Sequence, residues 1–242
     1  MTVLFSDCFN LSGYEQPVRK LRSDGQETRR NLLMAAGKIF ALKGFRDTTI
    51  AEICQQAAAN TAAISYHFGS KEALYVESWR YAFTESLNLY PPDGSVPPHA
   101  PPEERLHGRI LAIMRRIIDP QSHDFDIFHK EMANPTGLLA KTMQESVEQI
   151  FKGLTLLVAE LLGKEPDDQE VQLCAMSIRA QCFGPLLLAR RRKADQSIPT
   201  TGVEPLLDDV EQLADHVTRF SLAGIRALRS LHPHHLANEV GL

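Results

Sequence analysis

TTIAEICQQAAANTAAISYHFGSK, residues 48–71, reads as two short helices joined by a tight turn, with another helix beginning at its end. Thr49 followed by Glu52 has capping-box spacing, and Ile50, Ile53 and Ala57 fall on one helical face. Asn60 is a good N-cap for a helix reaching Phe68, in which Ala63, Ile64 and Phe68 can point inward. Thr61, Ala62, Ser65, Tyr66 and His67 are then left to face outward. Gly69-Ser70 breaks the pattern, and Ser70 caps a further helix through Leu74, Trp79, Phe83 and Leu87. A compact helix pair that exposes a short polar helix is a device for entering the DNA major groove. The same pattern also fits a plain helical domain in which Tyr66, His67 and Phe68 are a local aromatic cluster.

Working outward, a helix should begin near Ser23 or Asp24, where Ser23 and Gln26 stand at capping distance. Leu32, Leu33, Ala36, Ile39 and Phe40 give it one apolar face, and Gly44 ends it, since glycine takes the left-handed C′ conformation without strain. Six prolines between Tyr90 and Glu103 deny that stretch helix and predict a linker or surface loop. Helical patterns follow over 104–118, 125–133, 136–162, 167–192 and 205–231, and no alternating strand pattern occurs. The fold class is therefore all-α. Four parts are expected: a flexible extension (1–22), a helix-turn-helix domain (23–89), a Pro-rich linker (90–102) and a helical regulatory and dimerisation domain (103–242).

The net charge of −4 alone argues against a nucleic-acid binder. Its distribution argues the other way, because residues 17–46 hold eight basic and two acidic groups. A solvated helix face would read the same. Val18-Arg19-Lys20-Leu21-Arg22 can touch phosphates or simply fray. Cys8, Cys54, Cys174 and Cys182 show no CxxC spacing, so free thiols in a reducing compartment are expected, without a metal finger. No unbroken apolar run reaches the roughly 18 residues of a membrane span, and Met1 to Asn10 lack the features of a secretory leader. The expected location is cytoplasmic, with no membrane partner.

A groove-reading helix needs small or flat side chains near its start, so that its backbone can approach the base edges. Thr61, Ala62 and Ser65 meet that need: methyls suit thymine, and hydroxyls suit several edges. Tyr66 and His67 can reach phosphate or a base. Thr48 and Thr49 place hydroxyls and amides at a helix start, which suits a phosphate oxygen. Lys71 stands in the first turn of its helix, against the dipole, and a nearby phosphate would offset that cost. The candidate DNA-binding set is therefore Thr48, Thr49, Asn60, Thr61, Ala62, Ser65, Tyr66, His67 and Lys71.

The segment Glu27 to Trp79 resembles the N-terminal domain of TetR-family transcriptional regulators. The resemblance is carried by Thr48-Thr49, Ile53-Cys54, Ala57-Ala58-Ala59-Asn60 and Tyr66-His67-Phe68-Gly69-Ser70-Lys71-Glu72-Ala73-Leu74. Two departures stand out: Ala58 replaces the usual turn glycine, and Ser65 replaces a common tyrosine. The first suggests an altered turn, the second an altered base or phosphate contact. The wording from Asn60 to Tyr66 is similar to a CecR-like subgroup. The resemblance implies a homodimer on a palindromic double-stranded operator, usually a repressor released by a small ligand.

Helices over 168–192 and 206–231 look like the dimer surface such a family uses, although both can be plain core. A small hydrophobic or aromatic effector would sit among residues 105–190. Phe125, Phe128, Met132, Met143, Phe151, Met176 and Phe183 could line its site, with His129, Gln181 or Arg179 as polar handles. His232-Pro233-His234-His235 reads as a solvated tail. The adjacent acidic pairs at 103–104, 167–168 and 208–209 favour helix starts and do not make a catalytic dyad. No nucleophile elbow, zinc-protease, P-loop or dinucleotide motif occurs, so neither enzymatic activity nor a cofactor or metal is expected. Two alternatives stay open: a small-molecule-binding protein or enzyme with a vestigial DNA head, and a constitutive DNA binder governed by a protein partner.

Overall fold

The computed structural model describes residues 23–194, 197 and 209–231. The extension 1–22, Cys8, the first residues assigned to the last helical pattern and the His232–His235 tail lie outside the described residues. Within them the chain forms nine helices and no strand. They are α1 (Ser23–Lys43), α2 (Ile50–Gln56), α3 (Thr61–His67), α4 (Lys71–Leu89), α5 (Pro102–Ile118), α6 (His123–Ala133), α7 (Ala140–Leu162), α8 (Gln169–Ala194) and α9 (Val210–Leu231).

Two apolar cores organise these helices. The first gathers Leu32, Leu33, Ala36 and Phe40 of α1, Ile53 of α2, Ile64 of α3, and Leu74, Tyr75, Trp79 and Phe83 of α4. The second gathers Leu106, Ile110, Met114 and Ile117 of α5 with inner residues of α7, α8 and α9. Helix α6 packs into both: Ile127 belongs to the first core and Phe125 to the second. The start of α7 also leans on the first core through Met143, Val147 and Ile150.

The punctuation residues act as their chemistry dictates. Gly44 ends α1 at φ +80°, and its amide donates to the Phe40 carbonyl at 2.8 Å. Pro102 opens α5 at the first helical position, where a missing N–H costs nothing. The preceding proline-rich stretch lies tight on α5. A Cβ on Gly94 would come within 2.3 Å of the Gly108 backbone, so neither position has room for a side chain.

Helix α8 is long and apolar enough to cross a bilayer by length and composition alone, although it holds no unbroken apolar run of that length. Arg179 interrupts the apolar stretch. Val171, Ala175, Ile178, Cys182 and Leu186 nevertheless recur at helical spacing and bury one face of α8 in the second core. Cys54, Cys174 and Cys182 are free thiols. Burial raises the Cys182 pKa to about 12, so that thiol stays protonated.

Candidate nucleic-acid interface

Helix α3 has seven residues and is held by its ends. Asn60 Oδ1 accepts from the Ala63 amide at 2.9 Å, and the Phe68 amide donates to the Ile64 carbonyl at 2.9 Å. Ile64 is its one buried anchor. So short a helix depends on such caps and on tertiary packing. Thr61, Ala62, Ser65 and Tyr66 are exposed, Tyr66 by 73%, while Ala63, His67 and Phe68 are half-buried. The rings of Tyr66 and His67 meet edge-on with centroids 4.9 Å apart, and the Arg29 guanidinium covers Phe68 at 5.1 Å. Partial burial, then the nearby Arg29 charge, lowers the His67 pKa. His67 is therefore neutral at pH 7 and offers a hydrogen bond rather than a cation.

The turn into α3 contains Ala58 at φ +51°, in the left-handed region. An L-residue pays for this conformation, whereas glycine adopts it freely. At the position where the expected glycine is missing, the turn thus carries a methyl on a left-handed backbone.

The threonine pair is less available than its sequence suggested. Thr48 is 1% exposed and its hydroxyl donates to the Gly44 carbonyl at 2.7 Å. Its assignment as a phosphate contact is corrected: the hydroxyl ties the α1–α2 turn instead. Thr49 is exposed and forms the expected capping box, with its amide donating to Glu52 Oε2 at 2.9 Å. The Lys43 ammonium, together with the Thr49 amide, lowers the Glu52 pKa to about 2. An anionic carboxylate therefore already takes both the Thr49 amide and its hydroxyl, which donates to Glu52 Oε2 at 3.0 Å, so the expected phosphate contact at Thr49 is corrected: its donors close the capping box instead.

Lys71 opens α4 with its ammonium 4.4 Å from the centre of the Phe45 ring. That contact offsets part of the dipole cost that the sequence reading had assigned to a phosphate. Other cations of the head are engaged too. Arg29 pairs with Glu77 at 3.1 Å, Lys43 with Glu52, and Arg30 with the Tyr81 hydroxyl at 3.2 Å. Arg46 bonds Asn134 and the Pro135 carbonyl beyond α6. The basic stretch is therefore more spent than its composition implied, and Arg19, Lys20 and Arg22 lie outside the described residues.

A second candidate site is a cavity where α4, α5, α7 and α8 meet. Its walls are Leu87, Ile110, Ile113, Ile150, Phe151, Leu154, Ile178 and Phe183, with Arg109, Arg116 and Arg179 among them. Its void is about 50 Å³. Of the expected lining residues, Phe151, Arg179 and Phe183 are there. Phe125 stands just behind, edge-on to Phe183 at 6.0 Å. The others are corrected. Phe128 and Met143 pack with the first core, and His129 bonds Arg191 at 2.9 Å. Met132 and Met176 are exposed by 64% and 52% on outer helix faces. Gln181 donates to the Ser177 carbonyl of its own helix at 3.3 Å.

The sequence reading missed Arg109 and Arg116. Arg116 is 3% exposed. Its Nη2 donates to Asp124 at 2.5 Å and its Nε to the Ser86 hydroxyl at 2.8 Å, with its plane over Phe83 and Phe125. The signal that could have found it is an arginine at the apolar spacing of α5, one residue before Ile117.

Comparison with known proteins agrees with this geometry. Residues 32–77 match the family model described as bacterial regulatory proteins, tetR family, and residues 102–225 match the C-terminal domain of the HTH-type transcriptional dual regulator CecR. The CecR regulator of Shigella flexneri is 28% identical over 167 residues, covering 62% of this chain and 71% of that protein. The HTH-type transcriptional regulator TtgR of Pseudomonas putida is 24% identical over 204 residues, covering 82% and 93%. The crystal structure of a transcriptional regulator from Rhodococcus sp. superposes with a TM-score of 0.60 at 18% identity, covering 82% of this chain and 96% of that one. With more than half of its length matched by the CecR C-terminal model and its head by the tetR model, the chain belongs to the TetR family of helix-turn-helix transcriptional regulators.

Proposed function

We propose that the protein is a ligand-responsive repressor that binds a palindromic operator as a homodimer, with α3 of each protomer in the major groove. The observation that carries this is the exposed polar face of α3, anchored by Ile64 and capped by Asn60. Thr61, Ala62 and Ser65 read base edges, while Tyr66 and Lys71 hold the phosphate backbone. Asn60 contributes mainly as the cap, and neutral His67 steadies Tyr66. Repression is the sign proposed, although CecR is itself named a dual regulator. The work is that of a DNA-bound cytoplasmic regulator rather than an enzyme.

Dimerisation falls to the outer faces of α8 and α9. Leu173, Met176 and Leu188 are exposed on α8 and Phe220 on α9, and a Cβ on Gly184 or Gly224 would meet open space. Small residues flanked by exposed apolar ones let a second helix pair come close, giving a four-helix interface.

The cavity takes the effector, and α6 relays its presence. Arg116 in the cavity wall holds Asp124 of α6 and Ser86 of α4. Arg190 of α8 grips Asp126 of α6 through two bonds of 2.8 and 2.6 Å. At the far end of α6, Glu131 accepts from the Tyr75 hydroxyl of α4 at 3.1 Å, and Arg46 reaches Asn134. A drug-sized ligand fills roughly 300 Å³ or more, so its entry has to move these walls. Leu87 and Tyr90, at the end of α4, are among them. Effector binding thereby shifts the population between two head spacings.

The test is a gel shift of the full-length protein with the DNA upstream of its own coding region. A discrete complex with two protomers per duplex, lost with a Thr61→Asp/Ser65→Asp double variant, is expected. Equal retardation of unrelated DNA by both proteins would remove the proposal.

A further inference from the structure

We propose that the cavity is built for an amphipathic anion, an apolar body bearing one carboxylate-like group, held by Arg109 and Arg179. This rests on reading the cavity as the effector site. The wall carries three guanidiniums and no carboxylate. Only Arg116 is neutralised within the fold, by Asp124 at 2.5 Å. Among the described residues Arg179 makes no hydrogen bond or ion pair and lies only over the Phe151 ring, at 4.5 Å. Arg109 has one long bond, from Nη1 to the Pro92 carbonyl at 3.3 Å, and feels Asp93 only at a distance. It lies against Gly153, where a Cβ would stand 2.9 Å from Nη1.

Both guanidiniums line the one cavity and flank the same turn of α7, Arg179 at the Phe151 ring and Arg109 at Gly153. Two like charges facing a mostly apolar wall, without a counter-ion, carry an unrecovered desolvation cost. Burial accordingly lowers the pKa of both arginines, most directly for Arg179, where it is the sole cause. Arginine remains charged even so, and its planar fork suits a carboxylate. The isoleucines, Leu154, Phe151 and Phe183 supply the contact for the rest of the ligand. A purely apolar effector would use these walls but leave both cations unanswered.

The experiment is calorimetric titration of the full-length protein at pH 7.5 with two matched pairs: decanoate against decanamide, and 2-naphthoate against 2-naphthamide. At least one carboxylate should bind about tenfold tighter than its amide, the scale of one charge-assisted hydrogen bond. Arg179→Gln and Arg109→Gln should each erase most of that preference, weakening the carboxylate far more than its amide. Arg179 is only half-buried, so its variant should keep the wild-type melting temperature. The proposal is overturned if neither carboxylate outperforms its amide, or if the preference survives in the double variant. Operator release, followed in parallel, separates this inference from the reading beneath it. Arginine-dependent carboxylate binding that leaves the operator complex intact upholds the anion site and removes the effector role. An amide that releases the operator as well as its acid does the reverse.

Discussion

Removing one hydroxyl, by Tyr75→Phe, should cost this protein more than its size suggests. Tyr75 is fully enclosed, and its hydroxyl donates to Glu131 Oε2 at 3.1 Å. The same carboxylate accepts from the Thr136 amide and hydroxyl, each at 2.9 Å, and from the Gly137 amide at 3.0 Å. Burial, then the Glu131 charge, raises the tyrosine pKa, so the hydroxyl is a donor throughout the working pH range. Phenylalanine keeps the ring contacts with Phe40 at 4.8 Å and Phe45 at 5.1 Å, which isolates the hydrogen bond. A bond to a buried charged acceptor contributes about 1.5–3 kcal/mol, so a loss of about 2 kcal/mol is expected. Tyr81→Phe is the control, since its hydroxyl only meets exposed Arg30 and should change stability by less than about 0.5 kcal/mol. Urea unfolding at one fixed protein concentration provides the measurement, because a dimer's midpoint depends on concentration. In a cycle with Glu131→Gln the two losses should be non-additive by about 1 kcal/mol or more. Equal midpoints for the Tyr75 and Tyr81 variants, or simple additivity, would refute the reasoning that this bond ties head to body.

Ala58→Gly should stabilise. The left-handed backbone costs alanine about 1–2 kcal/mol, glycine gives back about 0.4–1 kcal/mol through its freer unfolded chain, and the remainder is a gain near 0.5–1 kcal/mol in urea unfolding. Lys71→Ala should weaken binding to all duplexes alike and lower the slope of log affinity against log salt by about one, whereas Thr61→Ala or Ser65→Ala should change which bases are preferred; anisotropy titrations on operator and random DNA separate the two behaviours. Acid sensitivity should begin with histidine. Burial is the main cause lowering the pKa of His67, His123 and His129, so all three are neutral in the fold. Stability holds above the ordinary imidazole value of about 6.5 and falls as pH drops through the lower folded values. Glu52 adds a later loss between its ordinary range and about 2. Urea midpoints at pH 7.5 and 5.5 should differ less for His123→Gln than for the wild type.

The head was legible because its determinants are local. Thr49, Asn60 and Ser70 are N-caps within three residues of the amides they bind, and Gly44 is a chain-end device. Such signals survive in a linear string. The face of a helix toward its neighbours follows from spacing as well, which is why Ile64 could be placed inward and Tyr66 outward. What spacing cannot give is the partner. Thr48 reads as a phosphate ligand until Gly44 is seen to accept its hydroxyl, and Lys71 reads as an uncompensated cation until Phe45 is seen beneath it. The cavity failed for a related reason. Met132, Met176 and Phe128 have the right chemistry, but an adaptable apolar side chain serves equally on a core face, an outer face or a pocket wall. Arg109 and Arg116, conversely, look like solvated residues of an amphipathic helix; only the approach of α4, α6 and α7 encloses them.

The most direct test is a hydroxyl-radical footprint of the full-length protein on the DNA upstream of its own coding region. The account predicts two protected half-sites related by two-fold symmetry and centred about one helical turn, roughly 34–36 Å, apart, both vanishing with Thr61→Asp/Ser65→Asp. A single unpaired patch, protection without symmetry, or a footprint that persists when the outer face of α3 carries those charges would contradict it.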